Sequence, residues 1–161
     1  MSFLFDRSGL LRPPGAADEA DLVGSCIRCA RCVEVRPYQS IRLGPITALR
    51  SYGTPFIDPL GSPCYLCMRC PEVCPTSALT VVPAVESAMG TARVIEESCY
   101  SWTGTVCNQC YRSCPLKGTA IDLDDLLQPV VTEACVGCGV CLHVCPTEPR
   151  SIHLVPRGET S

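Results

Sequence analysis

Cys64-Tyr65-Leu66-Cys67-Met68-Arg69-Cys70-Pro71-Glu72-Val73-Cys74-Pro75 sets three thiols three residues apart, then a fourth thiol four residues on, closed by proline. The pattern recurs. Cys135, Cys138, Cys141 and Cys145-Pro146 repeat it unchanged. Cys99, Cys107, Cys110 and Cys114-Pro115 repeat it with seven residues in the first gap. Cys26, Cys29, Cys32 and Arg36-Pro37 repeat it with arginine in the last thiol position. After each group comes a short alternating apolar segment: Ile41 and Leu43, Leu79 and Val81, Ile121 and Leu123, Ile152 and Leu154. A period of two predicts a short strand. Proline cannot continue a helix, so each unit reads as a loop, a short helix carrying the third and fourth positions, and a strand. Pro71 suits the first turn of its helix. The offsets from the fourth position to the strand are 5, 5, 7 and 7, so the first two groups resemble each other and so do the last two.

The connections follow from composition. Residues 17–25 predict a short helix after the Pro13-Pro14-Gly15 breaker, and the lead-ins from Val94 and Val130 predict strands entering the third and fourth loops. Gly44 to Pro63 reads as an ordered surface loop, Pro83 to Gly90 as a single helical turn, and Arg157 to Ser161 as a frayed tail.

With 15 cysteines in 161 residues but only three Phe and one Trp, the chain is rich in ligands and poor in core. That balance predicts bound metal as a source of folding energy. The first residues, Met1 to Arg7, carry neither a basic-then-apolar leader nor a twin-arginine signal, and no apolar run approaches the roughly 18 residues of a membrane helix. The expectation is therefore a soluble cytoplasmic protein, in a reducing compartment where a disulfide framework is disfavoured. An odd number of thiols argues the same way. A net charge of −3 without a basic block gives no support to nucleic-acid binding.

The run C-x2-C-x2-C-x3-C-P is the iron–sulfur spacing. Three thiolates from one loop cap three corners of a cubane, and the helix carries the fourth cysteine away to a second cluster. Zinc would need two C-x2-C pairs and gives no reason for the third cysteine or the proline. Fifteen thiols cannot complete the sixteen positions of four cubanes, because position 36 is Arg36. Three outcomes are open: a three-iron cluster, a four-iron cluster completed by Glu34, water or another group, or no cluster at all. An arginine beside a cluster would favour its reduced state. Arg28, Arg31, Arg69 and Arg112 lie in or beside the loops, as solvated charges or as contacts for an acidic partner. His143 and His153 are expected in packing or surface roles, Tyr100 and Trp102 in screening a cluster or packing, and Asp122, Asp124 and Asp125 in a solvated turn. No Ser–His–Asp set, phosphate-binding loop or nucleotide fingerprint is present.

Four such motifs with an expanded gap in the third resemble the ferredoxin-type subunits of molybdenum and tungsten oxidoreductases. Arg12-Pro13-Pro14-Gly15-Ala16 before Cys26, Gly53-Thr54-Pro55, and Cys107 to Leu116 are similar to the ferredoxin-type proteins of nitrate reductase systems. Those proteins are exported behind a twin-arginine signal. The lack of one here, with the chain's size and cluster count, brings it closer to the small polyferredoxin subunit of tungsten aldehyde oxidoreductases. The resemblance implies an α+β fold of two ferredoxin-like modules in one domain, electron transfer rather than catalysis, and [4Fe-4S] clusters. It implies a catalytic metallo-oxidoreductase partner, with a flavin/NAD subunit or further polyferredoxin copies beyond it. A free shuttle and a maturation factor are the alternative functions. The family's pairing is nested. It implies Cys26, Cys29, Cys32 and Cys145 for one cluster; Cys64, Cys67, Cys70 and Cys114 for a second; Cys99, Cys107, Cys110 and Cys74 for a third; and Cys135, Cys138 and Cys141 with the gap of Arg36 for a fourth. One module would then be residues 17–45 with 129–156, the other 55–125. Sequential pairing, the alternative, would put the gap on Cys64, Cys67 and Cys70.

Overall fold

The computed structural model describes residues 10–35 and 37–158. The expected loop, helix and strand units are present in three groups; the second lacks its strand, and each helix ends before the fourth position. Four short helices carry the third cysteine of each group: α2 (Arg31–Glu34), α3 (Arg69–Glu72), α4 (Gln109–Ser113) and α5 (Val140–Val144), with α1 (Glu19–Ser25) ahead of them. The strands are β1 (Ile41–Leu43), β2 (Pro55–Ile57), β3 (Gly90–Val94), β4 (Ile121–Leu123), β5 (Pro129–Val131) and β6 (Ile152–Pro156). They form three antiparallel pairs, β1 with β2, β3 with β6, and β4 with β5. The fold is α+β.

The strand pairs stay within each half of the sequence. Ile41 faces Ile57 across β1–β2, and Val94 faces Ile152 across β3–β6. The expected division into 17–45 with 129–156 against 55–125 would cut across these pairs, parting β1 from β2 and β3 from β6. The strand pairs divide the described residues into two modules, 10–82 and 83–158. The physical reason is local. Residues 44–54 double back through a 3-10 turn at Ile46–Ser51, and Gly44 and Gly53 each donate a backbone hydrogen bond, to Thr54 and to Gly44 respectively, both at 2.9 Å. The stretch expected as one loop is thus a hairpin. Leu79 forms a single bridge to Ala16 instead of a strand.

The two modules share one core. Leu11, Leu22, Ile41, Ile57 and Leu79 of the first pack with Met89, Val136 and Val140 of the second. Ala92 and Ile152 form a smaller cluster with Val94, Val131 and Leu154. The amide of Cys64 donates to the carbonyl of Cys138 at 2.9 Å across this seam. Gly139 comes so close to Pro59 that a Cβ there would lie 2.5 Å from the Pro59 Cβ, and its φ of +83° suits glycine. Buried Arg12 ties α1 to β2: Nε donates to Glu19 at 2.6 Å, Nη2 to the same carboxylate, and Nη1 to Pro55 O at 2.8 Å and Thr54 Oγ1 at 3.1 Å. The guanidinium holds the Glu19 carboxyl below its ordinary range.

Candidate metal centres

Three of the four cysteine loops have to turn three thiols toward one point within seven residues. The backbone does this with left-handed residues on either side of the middle cysteine. Arg28 and Ala30 (φ 57° and 62°), Leu66 and Met68 (54° and 55°), and Gly137 and Gly139 (72° and 83°) occupy equivalent positions in three loops. A non-glycine residue in this region costs roughly 1 kcal/mol, and such strain gathers where a site requires it. The third loop, with its longer first gap, has no such pair among its residues 107–110. Only the fourth loop advertises this conformation, through its two glycines.

The loops define four cradles. The first is a small space lined by Cys26, Cys29, Cys32 and Cys74. The second is lined by Cys64, Cys67 and Cys70. The third is lined by Cys135, Cys138, Cys141 and Cys114. Cys99, Cys107 and Cys110 make the fourth, where burial first, then the charges of Cys99 and Cys107, push the Cys110 thiol up to about 11. A chain of hydrogen bonds leads from this last cradle toward Cys145. Ser98, beside Cys99, shares a 2.9 Å hydrogen bond with Ser151, which bonds at 2.8 Å to Thr147 next to Cys145.

The cradles do not follow the nested grouping. Cys74 lines one space with Cys26, Cys29 and Cys32, and Cys114 lines another with Cys135, Cys138 and Cys141. Nesting had assigned Cys145 to the first of these loops, Cys114 to the second, Cys74 to the third, and the gap to the Cys135 loop. Among the described thiols, Cys64, Cys67 and Cys70 line their space without a fourth. Arg36 itself lies outside the described residues. Glu34 is exposed on another face, beside Arg31, Glu72 and Cys74, so it does not line the second cradle.

The cradles stand in a row. After burial, Cys26, Cys29 and Cys74 raise the Cys32 thiol to about 11. Cys70 is pushed up by burial, then by Cys64, Cys67 and, from the first cradle, Cys32. Burial pushes Cys64 up to about 12, with Cys138 of the third cradle contributing. Burial and the charges of Cys138, Cys135 and, from the fourth cradle, Cys110 raise Cys141. Each cradle thus touches the next electrostatically, in the order first, second, third, fourth. Among the described residues, no three His, Cys, Asp or Glu side chains converge tightly enough for a single metal ion. The thiols ring a space instead, as a cluster requires.

Two residues escaped the sequence reading. Thr76 Oγ1 lies 3.6 Å from Cys74 Sγ, and Thr147 Oγ1 lies 3.1 Å from Cys145 Sγ. An iron-bound thiolate can only accept, so these hydroxyls donate to sulfur. The repeated triplets Cys74-Pro75-Thr76 and Cys145-Pro146-Thr147 were the available signal. The Ala92 amide adds a 3.5 Å bond to Cys135 Sγ. Trp102 Nε1 donates to Pro129 O at 3.5 Å, and His143 Nδ1 lies 3.0 Å from Leu60 O across the seam, so both pack rather than ligate. Arg28, Arg31, Arg69, Arg112 and His153 are exposed.

Models of the 4Fe-4S dicluster domain match residues 25–78 and, separately, 97–146, which are the two modules set by strand pairing. Over 91% of its length the chain is 37% identical to the methylamine utilization ferredoxin-type protein MauM of Paracoccus denitrificans, covering 71% of that protein. The chain belongs to the ferredoxin-type 4Fe-4S proteins. It is 36% identical to the MauM protein of Methylorubrum extorquens, covering 73% of it, and 35% identical to the ferredoxin-type protein NapG of Escherichia coli, covering 70% of it. Each alignment spans 91% of this chain. No solved structure matches. This ferredoxin-type protein is an electron carrier, not a catalyst, and among its described residues no helix is long and apolar enough to cross a membrane.

Proposed function

We propose that the chain relays electrons through a row of four iron–sulfur sites between a catalytic metallo-oxidoreductase subunit and an electron acceptor. The observation that carries this reading is the continuous succession of cradles, each within electrostatic reach of its neighbour. The ligand sets we assign are Cys26, Cys29, Cys32 and Cys74; Cys64, Cys67 and Cys70; Cys135, Cys138, Cys141 and Cys114; and Cys99, Cys107, Cys110 and Cys145. Bound there, clusters supply one-electron chemistry. The protein's part is spacing, exclusion of water from buried Cys64, Cys70, Cys99, Cys110, Cys138 and Cys145, and hydrogen bonds to sulfur. A row this long suits a fixed wire better than a diffusing shuttle.

The partner we assign is a tungsten- or molybdenum-pterin enzyme of the aldehyde oxidoreductase kind, and the compartment the cytoplasm. The cluster count supports the partner, and fifteen unpaired thiols, which an oxidising compartment would disfavour, support the cytoplasm. The relatives' names neither require tungsten nor oppose it. The test is affinity purification of the chain from its native host, with metal analysis. Equimolar recovery of a large pterin-containing chain supports the reading. A monomer that exchanges electrons with many reductases would favour the free shuttle, and a factor missing from the finished enzyme would favour maturation.

A further inference from the structure

We propose that the second cradle holds a cluster with one iron corner that no protein thiolate binds, and that it releases and recaptures a single ferrous ion as its redox state changes. This rests on the four-site reading above and places its one chemically labile position inside the wire.

Three observations carry it. First, the cradle is built for a cluster. It is of the same size as the two cradles lined by four thiols. Leu66 and Met68 keep the left-handed conformations, φ 54° and 55°, that Arg28 and Ala30 adopt in the first loop. A loop with no cluster to wrap has no reason to hold two bulky side chains there. Second, the cradle is one thiol short. Cys74, fourth in its own group, lines the first cradle, and among the described thiols only Cys64, Cys67 and Cys70 line the second. The one motif position without a cysteine is 36, where the sequence has arginine, whose protonated guanidinium has no lone pair to offer iron. Third, no described neighbour takes its place. Ser40 Oγ donates to Pro63 O at 2.6 Å. The Tyr38 and Tyr65 rings pair with centroids 4.7 Å apart. No carboxylate, imidazole or fourth thiol lines the space among the described residues. Cys67 is exposed while Cys64 and Cys70 are buried, so the site opens to solvent on one side.

The step balances. A one-electron oxidant such as ferricyanide takes the cluster from [4Fe-4S]2+ to [4Fe-4S]3+. The open corner then leaves as Fe2+, giving [3Fe-4S]+, with all three thiolates retained. One electron and one Fe2+ restore the starting cluster.

The test uses the anaerobically purified full-length holoprotein. Before oxidation it should carry about 16 irons, four per site. Ferricyanide should release about one ferrous ion per chain, seen with a ferrous chelator, together with an equal amount of three-iron EPR signal. Reductant with 57Fe2+ should abolish the signal, and Mössbauer spectra should show the label at one corner only. Arg36→Cys should lower both iron release and the three-iron signal at least tenfold. If wild type holds about 16 irons and oxidation yields neither, the proposal is overturned while the four-site relay stands. About 12 irons with no three-iron signal would overturn the proposal and reduce the relay to three sites. The labelling result decides even if the variant does not fold.

Discussion

Thr76 and Thr147 sit two residues past the thiols that the second and fourth groups lend to the first and fourth cradles, the two ends of the row. Leu116 holds that place after Cys114, and Tyr38 after Arg36. The hydroxyl bonds therefore distinguish the terminal sites from the inner ones. A donor to sulfur stabilises the more negative, reduced cluster. Thr76→Val should lower the potential of the first site by about 40 mV, one net hydrogen bond of about 1 kcal/mol, and Thr76→Ser should restore it. Thr147→Val should act likewise on the fourth site. EPR-monitored redox titration reads both. At Gly139 the constraint is steric. Gly139→Ala meets Pro59 at 2.5 Å and takes up left-handed strain, so the holoprotein should lose about 2 kcal/mol in denaturant melts.

Among the elements, the strap from α1 to β2 depends on Arg12. Arg12→Met keeps the stem but removes four donated bonds, two of them to the Glu19 carboxylate. The cost should be about 2 kcal/mol in a thermal melt of the loaded protein, since Glu19 is left partly in solvent. The elements also show what the sequence could and could not reveal. Period-two alternation found β1, β4 and β6, and the proline after each fourth position marked where the helices end. Leu79 and Val81 alternate as well, yet Val81 stays exposed, because Ala16 pairs only with Leu79. Cys74 and Cys114 line the cradles of the groups that match their own in offset, 5 with 5 and 7 with 7, whereas the family resemblance pointed to the opposite partners. The left-handed turns at Arg28, Ala30, Leu66 and Met68 were invisible, since none is glycine and the cluster imposes them.

At the scale of the whole molecule, the cradles occupy much of what would otherwise be core. Removal of iron by a chelator should therefore abolish the cooperative melt and most circular-dichroism structure; a chelated chain that still melts cooperatively would contradict this. Loading must also follow pH. Burial raises Cys32, Cys110 and Cys138 to about 11 and Cys64 to about 12, so these thiols are protonated at neutral pH and must each lose a proton to iron. In the unfolded metal-free chain that burial is lost and the thiols return to the ordinary value of about 8.5, so iron affinity should climb with pH up to about 9 and then level off. It should fall on acidification, with proton release measurable by calorimetry in buffers of different ionisation heat.

The local exchange of thiols sets the timing of biosynthesis. On the ribosome a chain emerges from its N-terminus and its domains fold in that order. Under nesting, the Cys26 loop would wait for Cys145, almost the last structured residue to appear. With Cys74 as its partner, as we propose, the first cradle gains all its ligands, and the second its three thiols, before any of the second module has been made. Cofactor delivery to the N-terminal module need not wait for translation to end, and the C-terminal module is then made against a neighbour already folded.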